Sequence, residues 1–497
     1  MSTTKQQDGA TGAVETTTDS GFASLLQQRF RPANEEKGQA IEDAVSILCE
    51  QALQNKELVA QDTLRTIQSL IAAIDERIST QVNEVMHHEE FQKLESSWRG
   101  LHHLVTNTET DESLQIRVLP ISKDEVRTTL RKFPGTSWDQ SPLFKLIYEQ
   151  EYGQLGGTPY SCLVGDYHFD HSPTDVETLT SFAKIASAAH APFLSAANAT
   201  VLGMDSYQEL ANPRDISAIF TTPEYAGWRA LRDSEDSRYI GLTMPRFLAR
   251  KPYGAKSDPV EEFAFEEDTA GGDPEKFCWA NSAYAMATNI ARAFKLYGWC
   301  ARIRGVTSGG IVENLPTYTF PTDEGGVAMT CPTEIAISDR REAELAKCGF
   351  MPLVHRKHSN EAAFIGAQSL QRPAEYDDPD ATANAALSAR LPYMFATCRF
   401  AHYLKAIVRD RIGSFDDRSS IEQWLTNWVG QYVHGAPEHA SDIEKAKRPL
   451  SAAQVIVQEL EDSPGYYGAQ IFLQPHYQLE GLTVALKLVS RLPSERG

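Results

Sequence analysis

The chain has 497 residues, 41% of them hydrophobic, and a formal net charge of −20. That length predicts about two to four domains with sizeable cores. The acidity excludes a general binder of nucleic acid or of anionic membranes, which needs a basic face. The seven cysteines are scattered, odd in number and without a CxxC pair. Buried free thiols in a reducing compartment are therefore expected, not a zinc ribbon or a redox motif. No apolar signal region opens the chain, and no run of about 18 apolar residues occurs, so a cytoplasmic protein without direct membrane insertion is expected.

Residues 1–20 are rich in Thr, Ser, Gly and Gln, which predicts disorder. Phe22, Leu25, Leu26 and Phe30 then fall on one helical stripe, with Asp19 or Ser20 placed to cap it and Pro32 to end it. So short a helix is marginal alone, so the stripe needs a partner, either the body of its own chain or another protein. Three longer helices follow by periodicity. The first, over 35–53, carries Ile41, Val45, Leu48 and Ala52. The second, over 62–86, carries Leu64, Ile67, Ile71, Ile74, Ile78, Val82 and Val85. The third carries Phe91, Leu94, Trp98, Leu101 and Val105. Their apolar stripes favour an external helix as partner.

From residue 114 the pattern alternates between strand and helix, which predicts α/β units. LQIRVLPI (114–121) reads as a strand, and SKDEVRTTLRKF as a helix opened by a Ser122–Glu125 capping box. SCLVGDY reads as a strand, VETLTSFAKIASAAH as a helix and PFLSAAN as a strand. FCWANSAYAMATNIARAFKLYG reads as a long helix closed by Gly298. WCARIRGV, YTFPTD, TEIAI and 350–354 read as further strands. An acidic loop over 376–380 precedes helices within 381–412, and WLTNWVGQYV adds an aromatic helix. A basic knot, Lys445, Lys447 and Arg448, leads to a further helix. In the last stretch, Ile471 and Leu473 share one face of a strand, and Leu482, Val484, Leu486 and Leu488 one face of another. QPHYQLEG between them predicts a terminal hairpin with an open edge, a place where a partner strand can add.

Catalytic and metal motifs are lacking. There is no GK[ST] phosphate loop, and the run GVTSGG from Gly305 to Gly310 lacks GxGxxG spacing and reads as a turn. The adjacent pairs His87-His88 and His102-His103 diverge on a helix and do not make the i, i+4 face that zinc needs. Cys331 with His355 has no motif behind it as a nucleophile and base, and a buried thiol is the expected reading. The 376–380 loop lacks an EF-hand pattern and reads as a solvated helix cap. Arg340-Arg341 and Arg409-Asp410-Arg411 read as ion-pair or interface arginines. No cofactor, metal or catalytic residue is expected, and nucleotide hydrolysis is not.

The segment PHYQLEGLTVALKLVSRLP resembles the C-terminal signature of the large subunit of the type VI secretion contractile sheath, the TssC/VipB family. So do SSWRGLHHLV, AKIASAAHAPFLSAAN, SEDSRYIGLTMPRFLARKPYG, NIARAFKLYGWCARIRGV, CPTEIAISDRREAELAKCGF and PDATANAALSARLPYMFATCRFAHYLKAIVRDRIGSF. Together these blocks span about 60 to 497 in order. The resemblance implies a mixed α/β structural protein, not an enzyme. Its parts would be a 1–33 tail with a ClpV-binding helix, a 34–113 helical region pairing with the small sheath subunit, 114–390 outer α/β domains and a 391–497 inner domain with the exchange hairpin. It implies as partners a TssB/VipA-like small subunit, further copies of the chain, the Hcp tube, the ClpV unfoldase and a baseplate. The setting is the bacterial cytoplasm, in a membrane-anchored assembly. ClpV would grip the helix of Phe22, Leu25, Leu26 and Phe30. Ile67, Ile71, Ile74, Ile78 and Val82 would pair with the small subunit. Ile471, Leu473, Leu482, Val484, Leu486 and Leu488 would serve strand exchange, and Lys445, Lys447 and Arg448 would meet the inner tube. Two other readings stand beside it, a phage-tail-like sheath without a small subunit and an α/β enzyme.

Overall fold

The computed structural model describes residues 43, 47, 63–212, 215–269, 273–321, 327–413, 417–436, 438–459 and 467–478. The predicted helix of Phe22, Leu25, Leu26 and Phe30, nearly all of the 35–53 helix, and the strand of Leu482, Val484, Leu486 and Leu488 lie outside them. The chain forms two compact units, one of residues 1–88 with 252–268, the other of residues 89–251 with 269–497.

In the smaller unit, helix α1 (Thr63–Met86) matches the predicted second helix. Its C-terminal end holds the 252–268 loop. The Asn83 side chain donates to the Glu266 carbonyl at 3.2 Å and accepts from the Asp268 N–H at 2.9 Å. The loop closes on itself where the Tyr253 N–H donates to the Glu267 carboxylate at 2.8 Å and the Glu267 N–H returns to the Tyr253 carbonyl at 2.9 Å.

The larger unit opens with α2 (Glu89–Thr106) and α3 (Lys123–Leu130). The α3 capping box is complete: the Ser122 hydroxyl accepts from the Glu125 N–H, and the Glu125 carboxylate accepts from the Ser122 N–H at 2.8 Å. Then come β1 (Leu163–Phe169), α4 (Pro173–Ala189) and β2 (Phe193–Ala197), all three as predicted. They are followed by α5 (Ala226–Asp233), β3 (Ile240–Met244), β4 (Phe247–Leu248) and β5 (Trp279–Ala280). Helix α6 (Ser282–Tyr297) ends at Gly298, whose φ of 78° is the left-handed conformation that glycine adopts without strain. After it lie β6 (Ile311–Val312), β7 (Thr319–Pro321), β8 (Val327–Met329), α7 (Asp339–Lys347), β9 (Phe350–His355) and β10 (Ala362–Phe364).

The main sheet has the order β1-β2-β3-β9-β10-β6. Its first four strands run parallel and the last two pairings are antiparallel. Every residue of β2 and β3 is buried, because both faces of the sheet are covered. The strand period sorts the side chains. Phe193, Ile240, Leu242 and Phe350 join Leu179 and Phe182 of α4 and Trp228 of α5 on one face. Leu194, Met351 and Leu353 join Ala283, Met286 and Ile290 of α6 on the other. Full burial of side chains of this size contributes about 1.5–3 kcal/mol each, and this double core is what makes the unit a rigid platform.

The C-terminal part comprises α8 (Pro379–Ser388), α9 (Leu391–Arg411), α10 (Arg418–Gly430), α11 (Asp442–Lys447), β11 (Leu450–Glu459) and β12 (Tyr467–Pro475). Trp299, Phe400, Leu425, Val429, Val455 and Val457 form its core. The Trp299 and Phe400 rings stack with centroids 4.4 Å apart.

Several local expectations are corrected. Residues 114–121 form no strand. Val118 and Leu119 are exposed, and the stretch is held by side chains, with Arg117 on Glu151 and on the Thr158 hydroxyl at 2.9 Å. WCARIRGV likewise runs as coil and turns, because Trp299 is drawn into the aromatic core and leaves no sheet edge for its neighbours. TEIAI contributes only a single bridge, Thr333 to Phe247. The helix expected from Phe277 begins at Ser282, since Asn281 caps it and Trp279 and Ala280 pair with β4. The helix expected after the basic knot is the strand β11. Its alternating Val455 and Val457 are buried, whereas Gln454 and Gln458 are exposed.

Candidate functional site

On α1, Ile67, Ile71, Ile78 and Val85 are exposed, Ile71 by 47%, while Ile74 and Val82 are half-buried. These exposed apolar side chains recur along one face of the helix.

Helix α2 shows the same property for a reason the sequence hides. It packs inward with its small residues. Ser96 donates to the Trp279 carbonyl at 2.5 Å. Gly100 lies against the Tyr284 ring so closely that a Cβ would overlap it. Leu104 packs on Tyr284 and Ala287. The large apolar stripe is thereby turned out: Phe91, Leu94, Trp98 and Val105 are exposed, Trp98 by 66%. Glu95 pins this rotation. Its carboxylate receives Arg250 Nε at 2.6 Å and Arg250 Nη2 at 3.2 Å, a fork in which both side chains are largely buried. His103 points inward, its ring 5.0 Å from Phe247, and burial pushes it down to about 4. His102 is exposed, so the pair diverges as its spacing requires.

The second surface is the β11-β12 sheet. It has two strands, with Val455 opposite Ile471 and Ala453 opposite Leu473. Ile471 and Leu473 pack on the α10 side, while Phe472 points away, 55% exposed. The strand that the sequence assigned to a downstream partner is thus paired here with β11. Beside β11, Leu450 bridges to Val433, and the Val457 N–H donates to the Glu422 carboxylate at 3.3 Å. Among the described residues no second strand lies along β12. Just beyond it Gln478 is clamped. Its N–H donates to the Tyr393 hydroxyl at 3.0 Å, its amide to the Ala301 carbonyl at 2.8 Å, and it accepts from Arg304 Nε at 2.8 Å.

Lys445 and Lys447 stand on α11, whose Ser441–Glu444 capping box is complete, and Arg448 ends it. Lys447 and Arg448 are exposed and Lys445 is half-buried. The remaining arginine expectations agree with the contacts. Arg340 and Arg341 pair with Glu344 at 3.0 and 2.7 Å, and Arg411 lies 4.5 Å over the Trp424 ring. Asp378 caps α8. Gly305 to Gly310 is a turn. Among the described residues no group of three His, Cys, Asp or Glu is placed to hold a metal, and no helix is long and apolar enough to cross a membrane. Cys331 is half-buried with its Sγ 3.2 Å from the Thr333 hydroxyl, and His355 Nε2 lies 3.0 Å from the Ser359 carbonyl oxygen.

Residues 68–371 match the EvpB/VC_A0108 tail sheath N-terminal domain, and residues 380–492 the EvpB/VC_A0108 tail sheath gpW/gp25-like domain. The chain is 66% identical over 487 residues, 98% of each chain, to the type VI secretion system sheath protein TssC1 of Pseudomonas aeruginosa. Among solved structures it is similar to a chain of the anti-feeding prophage baseplate, at 10% identity and a TM-score of 0.35 over 63% of this chain and 66% of that one. It is also similar to a chain of the contracted anti-feeding prophage helical sheath, at 12% identity and a TM-score of 0.28 over 63% and 66%. The chain therefore belongs to the VipB (EvpB) family of tail sheath proteins and is a type VI secretion sheath protein.

Proposed function

We propose that this chain is the large structural subunit of a contractile sheath. It pairs with a TssB/VipA-like small subunit, polymerises from a baseplate around a tube of Hcp rings and contracts to propel that tube, in the bacterial cytoplasm as part of a membrane-anchored assembly. The work is mechanical, not catalytic. Energy is stored in the arrangement of subunits, a bistable assembly in which each protomer rotates. The observation that carries this reading is the two-stranded β11-β12 sheet. One face of these two strands packs on α10, and the outer side of β12 is a template for a strand from a neighbouring copy. The segment with Leu482, Val484, Leu486 and Leu488 supplies that strand, with Gln478 as its fixed pivot. Lys445, Lys447 and Arg448 face the inner tube.

The α1 row of Ile67, Ile71, Ile74, Ile78 and Val82 takes a helix of the small subunit. Co-expression of the two chains followed by negative-stain microscopy is expected to give tubes, and Ile71→Asp to leave this chain soluble but without bound small subunit. An exposed anchor of this kind contributes about 1–2 kcal/mol, and a buried charge in its place costs more. Full retention of the small subunit by the variant would remove α1 from the pairing. Tubes formed by this chain alone would favour the phage-tail-like sheath, and discrete active particles the α/β enzyme.

The helix of Phe22, Leu25, Leu26 and Phe30 is the handle for the ClpV unfoldase, which recycles contracted sheath. A labelled peptide of residues 19–32 is expected to bind the ClpV N-domain, and Leu26→Asp to weaken it by more than about 1 kcal/mol, roughly five- to tenfold. Equal affinity of the two peptides would sink the assignment. The handle matters for recycling and not for first assembly.

A further inference from the structure

Residues 476–481 separate β12 from the segment that carries Leu482, Val484, Leu486 and Leu488. Connections that short usually join strands that pair with each other. The outer side of β12, open among the described residues, is therefore within reach of the chain's own terminal segment as well as a neighbour's. Self-pairing has the advantage, because a tethered partner is present at an effective concentration of about a millimolar. The structure opposes it. After β12 the chain runs straight on. The His476 N–H donates to the Pro449 carbonyl at 3.0 Å, which carries the pairing with β11 one step past Leu450 and Pro475. The Ser451 hydroxyl donates to the Gln474 carbonyl at 3.1 Å and the Pro475 carbonyl at 3.3 Å. Gln478 is then taken by groups of neither strand. Its N–H donates to the Tyr393 hydroxyl at 3.0 Å and its side-chain amide to the Ala301 carbonyl at 2.8 Å, while its Oε1 accepts from Arg304 Nε at 2.8 Å. The bond from the guanidinium is charge-assisted. Tyr393, in the first turn of α9, and Arg304 are both buried, so the anchor is set in the packed interior. With residue 478 held off the sheet, only residues 479–481 remain to turn the chain back.

We propose that the anchor at Gln478 decides which β12 the terminal segment joins: it keeps the segment off the β12 of its own chain and leaves it for a second copy. The inference rests on the strand exchange proposed above. Released from the anchor, the segment closes as a third strand on its own β12. That closure withdraws the donated strand and also fills the edge on which an incoming strand would pair, so a single change blocks both ends of the contact between copies.

The test is amide hydrogen exchange in the full-length chain expressed without its small subunit, a state in which no tubes are expected. In wild type the amides of residues 482–488 should exchange as those of a free chain. Gln478→Ala removes both side-chain bonds of the anchor, and Tyr393→Phe removes the acceptor of the third. In the double variant the same amides should slow by about tenfold or more, equally at low and high protein concentration, because the pairing lies within one chain. Co-expressed with the small subunit, the double variant should still co-purify with it and form about tenfold fewer tubes. Slow exchange of these amides in the unassembled wild-type chain, or free-chain exchange in the folded double variant, would overturn the proposal. Should the double variant fail to fold, Tyr393→Phe alone keeps the buried ring and loses one hydroxyl. It should give the same slowing in smaller measure, and unchanged exchange in it would count against the anchor. Val484→Pro separates this inference from the reading beneath it. Normal tubes from Val484→Pro would remove strand exchange and the anchor's role with it. Tubes lost in Val484→Pro but formed normally by the double variant would remove the anchor's role alone.

Discussion

Val484→Pro is expected to leave the chain soluble and bound to its small subunit, yet unable to form tubes. Leu482, Val484, Leu486 and Leu488 alternate in the strand period, and proline in the middle of a strand removes a main-chain donor and is tolerated only at edges and bulges. The expected acceptor is the outer side of β12, which no second strand occupies among the described residues. In a helical polymer the same contact recurs at every subunit. A loss of about 3 kcal/mol per contact weakens each addition by roughly a hundredfold, enough to stop growth at cellular concentrations. Negative-stain microscopy reads out tubes, and co-purification reads out pairing. Insoluble chain would mean that the segment completes its own domain core. Normal tubes would mean that the edge is unused.

Glu95→Gln is expected to cost the larger unit about 3 kcal/mol at neutral pH, because the largely buried Arg250 guanidinium then loses the charged half of its fork with Glu95. The pH dependence follows from the same fork. Burial pushes the Glu95 carboxyl up, but the hydrogen bonds and charge of Arg250, with help from Arg99, hold it below the ordinary carboxylate range. A depressed folded-state value means that the stabilisation is fully present above the unfolded carboxyl value of about 4.3 and is lost as pH falls through the lower folded value. The urea midpoint of the variant should thus lie well below wild type at pH 7, and the gap should close as the pH is taken below about 4. Equal midpoints at pH 7 would show that the fork is not what orients α2. If the fork does orient it, the variant should also weaken partner binding through Trp98, which stays exposed only while α2 keeps this rotation.

Elements written in short windows were legible in the sequence. The Ser122–Glu125 box, the α4 and β2 patterns and the stop at Gly298 depend on residues within a few positions of one another, and all recur in the structure. The stripe on α1 was equally plain, and so was the absence of any phosphate-loop motif. Misreadings came where a strand-like pattern needed a partner. Residues 114–121 have a suitable composition but no strand beside them, whereas Val455 and Val457 gained theirs from β12, the next strand.

By itself the sequence determined most of the capped helices, which helix faces are apolar, and, through its ordered blocks, the sheath family. These depend on local periodicity and capping, whose energetics are confined to a turn or two of backbone. Tertiary structure alone decided which apolar face is spent on the core and which is left for a neighbour. Gly100 turns α2 so that Tyr284 takes its small face and Trp98 its outer one. It also decided that Gln478 meets Tyr393 and Arg304, and that Glu95 meets Arg250. Contacts of that kind join residues far apart in the chain, and their closeness is set by how whole layers pack, which no window of sequence contains.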